Sequence, residues 1–205
     1  MKFAILAPGG IAHSMAKAVS EIDKIERYAV ASREVKRAQK FAEQWGFEKA
    51  YGSYEEMVQD PQVEFVYVAS PHSHHYEHAK LCLEHGKHVL VEKAFTVNAR
   101  QARELIQLSE EKGLLLAEAI WTRYMPSRKM IDDLVKSGVI GRVTSLTANL
   151  GYVLRGRERL ERPELAGGAL LDLGVYPINF ALMVFHEEVE RVTSTAVLSP
   201  EGVDW

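Results

Sequence analysis

Between Phe3 and Ala119, short continuous apolar runs alternate with segments whose apolar residues recur every three or four positions. This is the pattern of buried strands separated by amphipathic helices. Strands are predicted at Phe3–Ala7, Arg27–Ser32, Phe65–Ala69, Val89–Val91 and Leu114–Ala119. Between them, Ile11–Ile22, Val35–Trp45, Tyr54–Gln59, Tyr76–His85 and Ala99–Lys112 read as helices. Gly46, Gly86 and Gly113 stop three of these helices, and Asn98 stands at the N-cap of the last. Strands joined by helices pair in parallel with both faces covered. The right-handed crossover rule then makes the sheet doubly wound.

Near residue 120 the pattern changes. Pro126–Ser137 reads as one more helix, whereas Arg142–Tyr152 alternates strictly, as in an antiparallel strand with one covered face. A charged loop from Arg155 to Glu164 leads to a helix at about Leu170–Phe185, and Val189–Leu198 alternates again. The expected organisation is a doubly wound α/β domain over residues 1–120, followed by an α+β domain over 121–205 with an open, mainly antiparallel sheet. Two long strands give such a sheet too few partners, so the second domain reads as incomplete. Either the chain is a fragment or a partner subunit completes the sheet. Glu201 to Trp205 reads as a turn into a further strand.

Composition narrows the function classes. With 205 residues, 47% hydrophobic and 26% charged, this is globular material. A net charge of −3 gives no electrostatic reason to expect nucleic acid or an anionic membrane as partner. The single cysteine, Cys82, excludes an intramolecular disulfide and lies in an apolar helical run, which points to core packing. The early first strand argues against a signal peptide, and no apolar run approaches the length of a membrane span. A cytoplasmic protein is the expectation.

Candidate chemistry gathers at strand ends, where open α/β sheets bind ligands. The first turn reads Ala7-Pro8-Gly9-Gly10-Ile11-Ala12, a variant of the G-x-G-x-x-G/A turn that seats a pyrophosphate at a helix N-terminus, with Ala7 in the first glycine position. If that position needs positive φ, alanine costs about 1–2 kcal/mol there. The second strand ends in Ser32-Arg33 where an NAD site would carry an acid; hydroxyl and guanidinium suit a 2′-phosphate, favouring NADP with NAD as the alternative. Ser70-Pro71-His72-Ser73-His74-His75 forms the loop after another strand and is expected to face the cofactor. His74 and His78 have the i, i+4 spacing of metal ligands, but no H-E-x-x-H or C-x-x-C accompanies them, so no metal site is assigned. Glu92 and Lys93 end the Val89–Val91 strand, either as a surface pair or with Lys93 as a working cation. Asp172 and Tyr176, at i, i+4 in an apolar helix, form either a structural hydrogen-bonded pair or a proton-transfer pair.

Taken together, these motifs resemble the Gfo/Idh/MocA oxidoreductases, and most closely the dimeric dihydrodiol dehydrogenase and xylose dehydrogenase branch. The resemblance rests on Ile5–Ala12, Ala29–Arg33, Ser70–His75, Val91–Val97, Ala117–Pro126 and Pro163–Pro177, with Glu118–Tyr124 and Gly167–Pro177 the most specific. It implies a Rossmann domain and a second domain whose open sheet forms a homodimer interface. It also implies an NAD(P)-dependent oxidoreductase that moves hydride between nicotinamide and a hydroxyl carbon of a sugar, polyol or trans-dihydrodiol. Lys93 matches the lysine of the family's Glu-Lys-Pro motif, while Asp172 and Tyr176 match its aspartate and acid/base positions. Pro8, Gly9, Gly10, Ile11, Ala12, Ser32, Arg33, Ser70, Pro71, His72, His75, Glu92, Lys93, Trp121 and Arg123 are the implied cofactor contacts. Trp121, Arg123 and Tyr124 equally suit the substrate side, an interface or a core.

Alcohol oxidation needs a proton acceptor on the hydroxyl. A tyrosine acts as one at neutral pH only if its pKa falls by about 3 units, roughly 4 kcal/mol. A cation within about 4–6 Å typically supplies 1–3 units, which makes Lys93 the expected activator of Tyr176. Ala94 replaces the family's proline, which is associated with a cis peptide, and the Lys93 loop is therefore expected to take another path. Two competing readings are a dinucleotide-binding sensor or inactive relative, and a histidine-based metal hydrolase.

Overall fold

The computed structural model of the protein describes residues 1–153, 156–186 and 188–205. The chain divides into two compact units, Met1–Ala119 and Ile120–Trp205. In the first, β1 (Lys2–Leu6), α1 (Gly10–Ser20), β2 (Glu26–Ala31), α2 (Val35–Trp45), β3 (Lys49–Tyr51), α3 (Tyr54–Gln59), β4 (Phe65–Val68), α4 (His75–Glu84), β5 (His88–Val91), α5 (Ala99–Lys112) and β6 (Leu116–Glu118) follow in order. The six strands form one sheet in the order β3-β2-β1-β4-β5-β6, every pairing parallel.

The central strands β1 and β4 are apolar from Phe3 to Leu6 and from Phe65 to Val68 because both their faces are covered. Phe3 and Ile5 join a cluster with Ala12, Ala16, Val19, Phe41 and Phe47 on one face. Ala4 and Leu6 join Met57, Val58, Leu83 and Leu105 on the other. Each such aliphatic side chain stabilises the fold by about 1.5–3 kcal/mol on burial. Local signals set the helix ends. Ser53 Oγ accepts the Glu56 amide, and Asn98 Oδ1 accepts the Gln101 amide at 3.0 Å. At the end of α2, the left-handed Gly46 is accompanied by the Arg27 guanidinium, which donates to the Trp45 carbonyl at 2.7 Å.

β3 is absent from the hydrophobic pattern, since three half-buried residues are too few to show a period. Its place is secured by Asp60, at the end of α3. The Asp60 carboxylate accepts from Tyr28 Oη (2.9 Å), Lys49 Nζ (2.8 Å), Tyr51 Oη (2.5 Å) and the Gln62 amide (2.8 Å). Lys87 adds a bond to the Asp60 carbonyl at 2.8 Å.

The second unit contains α6 (Pro126–Lys136), the short α7 (Glu158–Glu161), a π-helical turn at Leu170–Gly174 and α8 (Val175–Val184). The helix expected over Leu170–Phe185 is thus two elements, a wide turn feeding a regular one. The strands expected at Arg142–Tyr152 and Val189–Leu198 do not form. Among the described residues neither has a ladder partner, and the single bridge is Leu198 with Asp204. Alternation marks which side chains share a face; only pairing makes a strand. Arg155, where the charged loop was expected to begin, lies outside the described residues. The tail folds back in a tight turn, with Ser199 N bonded to Val203 O at 2.8 Å.

One expectation about apolar length is corrected. Pro163–Val184, 22 residues, is long and apolar enough by composition to cross a membrane, with a mean hydropathy of 1.4. It is not a continuous α-helix: α8 holds 10 of those residues, about 15 Å of length against about 30 Å of hydrocarbon.

Burial opposes the ionisation of Asp60, but the bonds from Lys49, Tyr51, the Gln62 amide and Tyr28 outweigh it and hold its pKa well below the carboxylate range. A carboxylate depressed in the fold contributes stability above its unfolded pKa, near 4, and loses it as the pH falls through the folded value. Asp60→Asn should therefore cost about 2–3 kcal/mol near neutrality. Urea unfolding at a series of pH values should show the gap to the parent chain closing below about pH 4.

Candidate active site

All parallel strands present their carboxyl ends on one edge, and the strand order reverses between β1 and β4, the place where open α/β sheets bind ligands. Pro8, Gly9, Gly10, Ile11 and Ala12 follow β1; Ser32 and Arg33 follow β2; Ser70, Pro71, His72 and His75 follow β4; Glu92 and Lys93 follow β5. The sheet brings these candidates to one edge.

Ala7 takes φ +66°, so the turn does require the left-handed conformation at this position. The turn is held by Ala7 N to Ala31 O (3.1 Å) and Gly9 N to Ala7 O (2.8 Å), while Ala69 N reaches Leu6 O (3.0 Å) across the β1–β4 junction. Gly9 is the N-cap of α1, and no side chain caps it. Around Gly10, added atoms would meet nothing within 4 Å, and Ile11 is exposed. The leading amides of α1 therefore face open space, the geometry that suits a pyrophosphate.

Beyond β2, Ser32 Oγ accepts the Glu34 amide at 3.3 Å and Arg33 is exposed. Arg37, which sequence reasoning passed over, lies one helical turn further on. Its guanidinium donates to the Pro8 carbonyl at 3.2 Å, tying α2 to the first turn. The i, i+4 spacing from Arg33 was the signal available for it. Burial raises the Tyr54 pKa against the nearby charges of Arg33 and Arg37, which places that phenol beside both guanidiniums.

Within the histidine segment, several rings pack into the loops that form the edge. His75 is fully buried, with Nδ1 2.7 Å from the Ala94 carbonyl and Nε2 2.7 Å from the Ser70 carbonyl. It links the loop after β4 to the loop after β5. Burial pushes its pKa down to about 4 against both carbonyls. His72 is also buried, packed edge-on against His75. His78 Nδ1 lies 2.9 Å from Ser70 Oγ, and the His78 ring stacks on His74 with centroids 5.6 Å apart. Burial, followed by the charges of His74, His75 and Arg33, brings His78 to about 4.

Glu92 is similarly engaged. Its carboxylate accepts from the buried Tyr67 hydroxyl and from the Lys93 amide (3.2 Å). Burial raises the pKa of both Tyr67 and Glu92. Lys93 itself is half-buried. The Lys93–Ala94 peptide is cis, so the expected departure of this loop is corrected: it keeps the bond geometry with alanine in place of proline.

In the second unit, Asp172 is buried in the π turn and pairs with Arg159 at 3.1 Å. Arg159 was not singled out in the sequence, where it reads as one charge among many. Tyr176 opens α8, and its hydroxyl accepts from the indole N–H of Trp121 at 3.1 Å. Arg123 is exposed in the 3₁₀ turn Trp121–Tyr124. The approach to Asp172 depends on glycine. A Cβ on Gly167 would collide with the Leu160 carbonyl, and Gly168 sits at φ +103° against the Asp204 carboxylate, which also accepts the Leu170 amide at 2.6 Å.

Residues 1–119 match the oxidoreductase family model with an NAD-binding Rossmann fold, and residues 129–204 match the GFO/IDH/MocA C-terminal domain. The chain belongs to the GFO/IDH/MocA oxidoreductase family. It is 42% identical to D-xylose 1-dehydrogenase (NADP(+)) of Hypocrea jecorina over 97% of this chain and 57% of that protein. It is 36% identical to trans-1,2-dihydrobenzene-1,2-diol dehydrogenase of Danio rerio over 100% of this chain and 62% of the relative. Among solved structures, a 3-ketoreductase from Actinomadura kijaniata, in complex with NADP and TDP-benzene, superposes with a TM-score of 0.81 at 33% identity. That match covers 90% of this chain and 57% of the other. The chain spans about three-fifths of the length of these relatives.

If the left-handed backbone at Ala7 carries the cost expected for a side chain there, Ala7→Gly should raise stability by about 1 kcal/mol. Equilibrium urea denaturation measures it directly.

Proposed function

We propose that this chain is an NADP-dependent oxidoreductase that interconverts a secondary alcohol and a carbonyl on a sugar, polyol or trans-dihydrodiol. The observation that carries the reading is Lys93, a half-buried amine at the carboxyl end of β5, on the same sheet edge as the uncapped N-terminus of α1. The first unit is the dinucleotide-binding domain and the second the substrate domain. The donor set fits a phosphorylated dinucleotide: α1 amides for the pyrophosphate, and Ser32, Arg33 and Arg37 for a 2′-phosphate, with the nearest carboxylate, Glu34, one position beyond Arg33.

When bound, the nicotinamide supplies or accepts the hydride. The rest is the work of this chain's residues. Tyr176 is the residue that carries the proton to or from the substrate oxygen, and Lys93 is the cationic residue of the mechanism. Asp172, paired with Arg159 at 3.1 Å, orients the groups around Tyr176. Relatives named for D-xylose and a dihydrodiol support the substrate class. Homodimerisation through the second unit is supported by exposed Val139, Ile140, Val153, Val192 and Val197 on that unit. A cytoplasmic setting completes the reading.

Lys93→Met should lower turnover of D-xylose or a trans-diol on the order of a hundredfold or more, with NADPH affinity nearly intact by fluorescence titration. Undiminished turnover would remove Lys93 from the chemistry. NADPH binding without turnover across a sugar and diol panel would identify a sensor instead. In the same titration, Arg33→Ala combined with Arg37→Ala should weaken NADPH by about tenfold or more and leave NADH within about threefold. Equal losses for both nucleotides would argue against a 2′-phosphate site.

A further inference from the structure

We propose that Trp121 is a positioning residue for Tyr176: its indole N–H holds the phenol oxygen, favours its ionised form and sets the direction of its proton. The inference rests on the reading of Tyr176 as the proton carrier and deepens it. An indole nitrogen can only donate, so the 3.1 Å contact from Trp121 Nε1 to Tyr176 Oη has one sense, with the phenol oxygen as acceptor. The rings meet edge to face, with centroids 6.4 Å apart and planes at 67°, so the approach comes from the indole edge and the two rings do not stack.

Both partners stand on defined backbone. Trp121 opens the 3₁₀ turn Trp121–Tyr124, which Pro126 converts at once into α6. α6 packs on α8, and Tyr176 lies in the first turn of α8. The indole is nevertheless 59% exposed. It contributes little as core, and its polar edge is the part committed to a partner.

Two chemical consequences follow. A donor to the phenol oxygen binds phenolate more strongly than phenol, because hydrogen bonds to an ionised acceptor are about twice as strong. The contact from Trp121 therefore favours the ionised form of Tyr176. That adds to the effect of a lysine, which typically supplies 1–3 of the roughly 3 units needed. With one lone-pair direction taken by Trp121, the neutral phenol must also direct its O–H elsewhere. The hydroxyl is then oriented before a substrate oxygen arrives, which is the pre-organisation that acid–base transfer rewards. A tryptophan that served only as a stacking surface would act on substrate affinity at every pH.

The test is Trp121→Phe in the full chain, which keeps an aromatic ring and deletes the N–H. In the oxidation direction with NADP, the ionisation governing kcat should rise by about one pH unit. The rate near neutrality should fall about tenfold and recover in alkali, with KM for the sugar or diol within about threefold. An unchanged pH profile, or a loss confined to KM, overturns the proposal. A second measurement needs no turnover. In ¹⁵N-labelled protein, the Trp121 indole N–H is one of three such signals, assigned by its disappearance in Trp121→Phe. Its shift should titrate with Tyr176 between pH 6 and 11, and Tyr176→Phe should abolish that titration. An indole signal indifferent to Tyr176→Phe overturns the proposal. A coupled signal in a chain that turns over no sugar or diol would sink the dehydrogenase reading while leaving the indole–phenol bond in place.

Discussion

A parallel strand cannot be followed by its neighbour through a tight turn, so each must be joined to the next by a crossover of one hand. The rest of the first unit depends on that constraint. It sends every carboxyl end to the same edge and parts the chain between β1 and β4. Ala69 N to Leu6 O seals the sheet just below the parting, and the first turn, the Ser32-Arg33 corner and the Glu92-Lys93 corner stand above it. Residues far apart in sequence share one rim because the sheet admits no other exit for the backbone.

The rim is kept rigid by polar groups placed under it. Tyr67 and Glu92 bond beneath Lys93, and His75 spans the carbonyls of Ser70 and Ala94. Among the described residues, no buried side-chain nitrogen or oxygen lacks a partner. That matters because an unsatisfied buried polar group costs about 1–3 kcal/mol. These groups make the site dependable by keeping their own chemistry inward and leaving the outward positions to Arg33, Arg37 and Lys93.

Sequence pattern carried the first unit well, for physical reasons. Val35–Trp45, Tyr54–Gln59 and Ala99–Lys112 were legible to the residue because an amphipathic stripe and a terminal signal coincide in each. β3 was not, being held by the distant carboxylate of Asp60 and by no period of its own. Arg142–Tyr152 and Val189–Leu198 show the opposite failure, with faultless alternation and no ladder among the described residues. Spacing drew notice to Asp172 and Tyr176 without choosing between a structural and a proton-transfer pair, and it passed over Arg159, which contacts Asp172 from thirteen positions away. The burial of His75 was not legible, because a histidine beside a binding loop looks the same in sequence whether it points outward or inward.

The π turn at Leu170–Gly174 works as a piece of gearing. Wide turns of this kind appear mostly as single insertions into helices, often beside functional groups. It carries Asp172 on its inner side and hands the chain to α8 immediately before Tyr176. Were one residue shed here, the segment would tighten into an ordinary helix and everything downstream would rotate by about 100°. The phenol would then swing away from the indole while every side chain of the pair stayed intact. A change of length alone can thus re-aim the Tyr176 phenol, a change invisible to any comparison that scores only which residues are present.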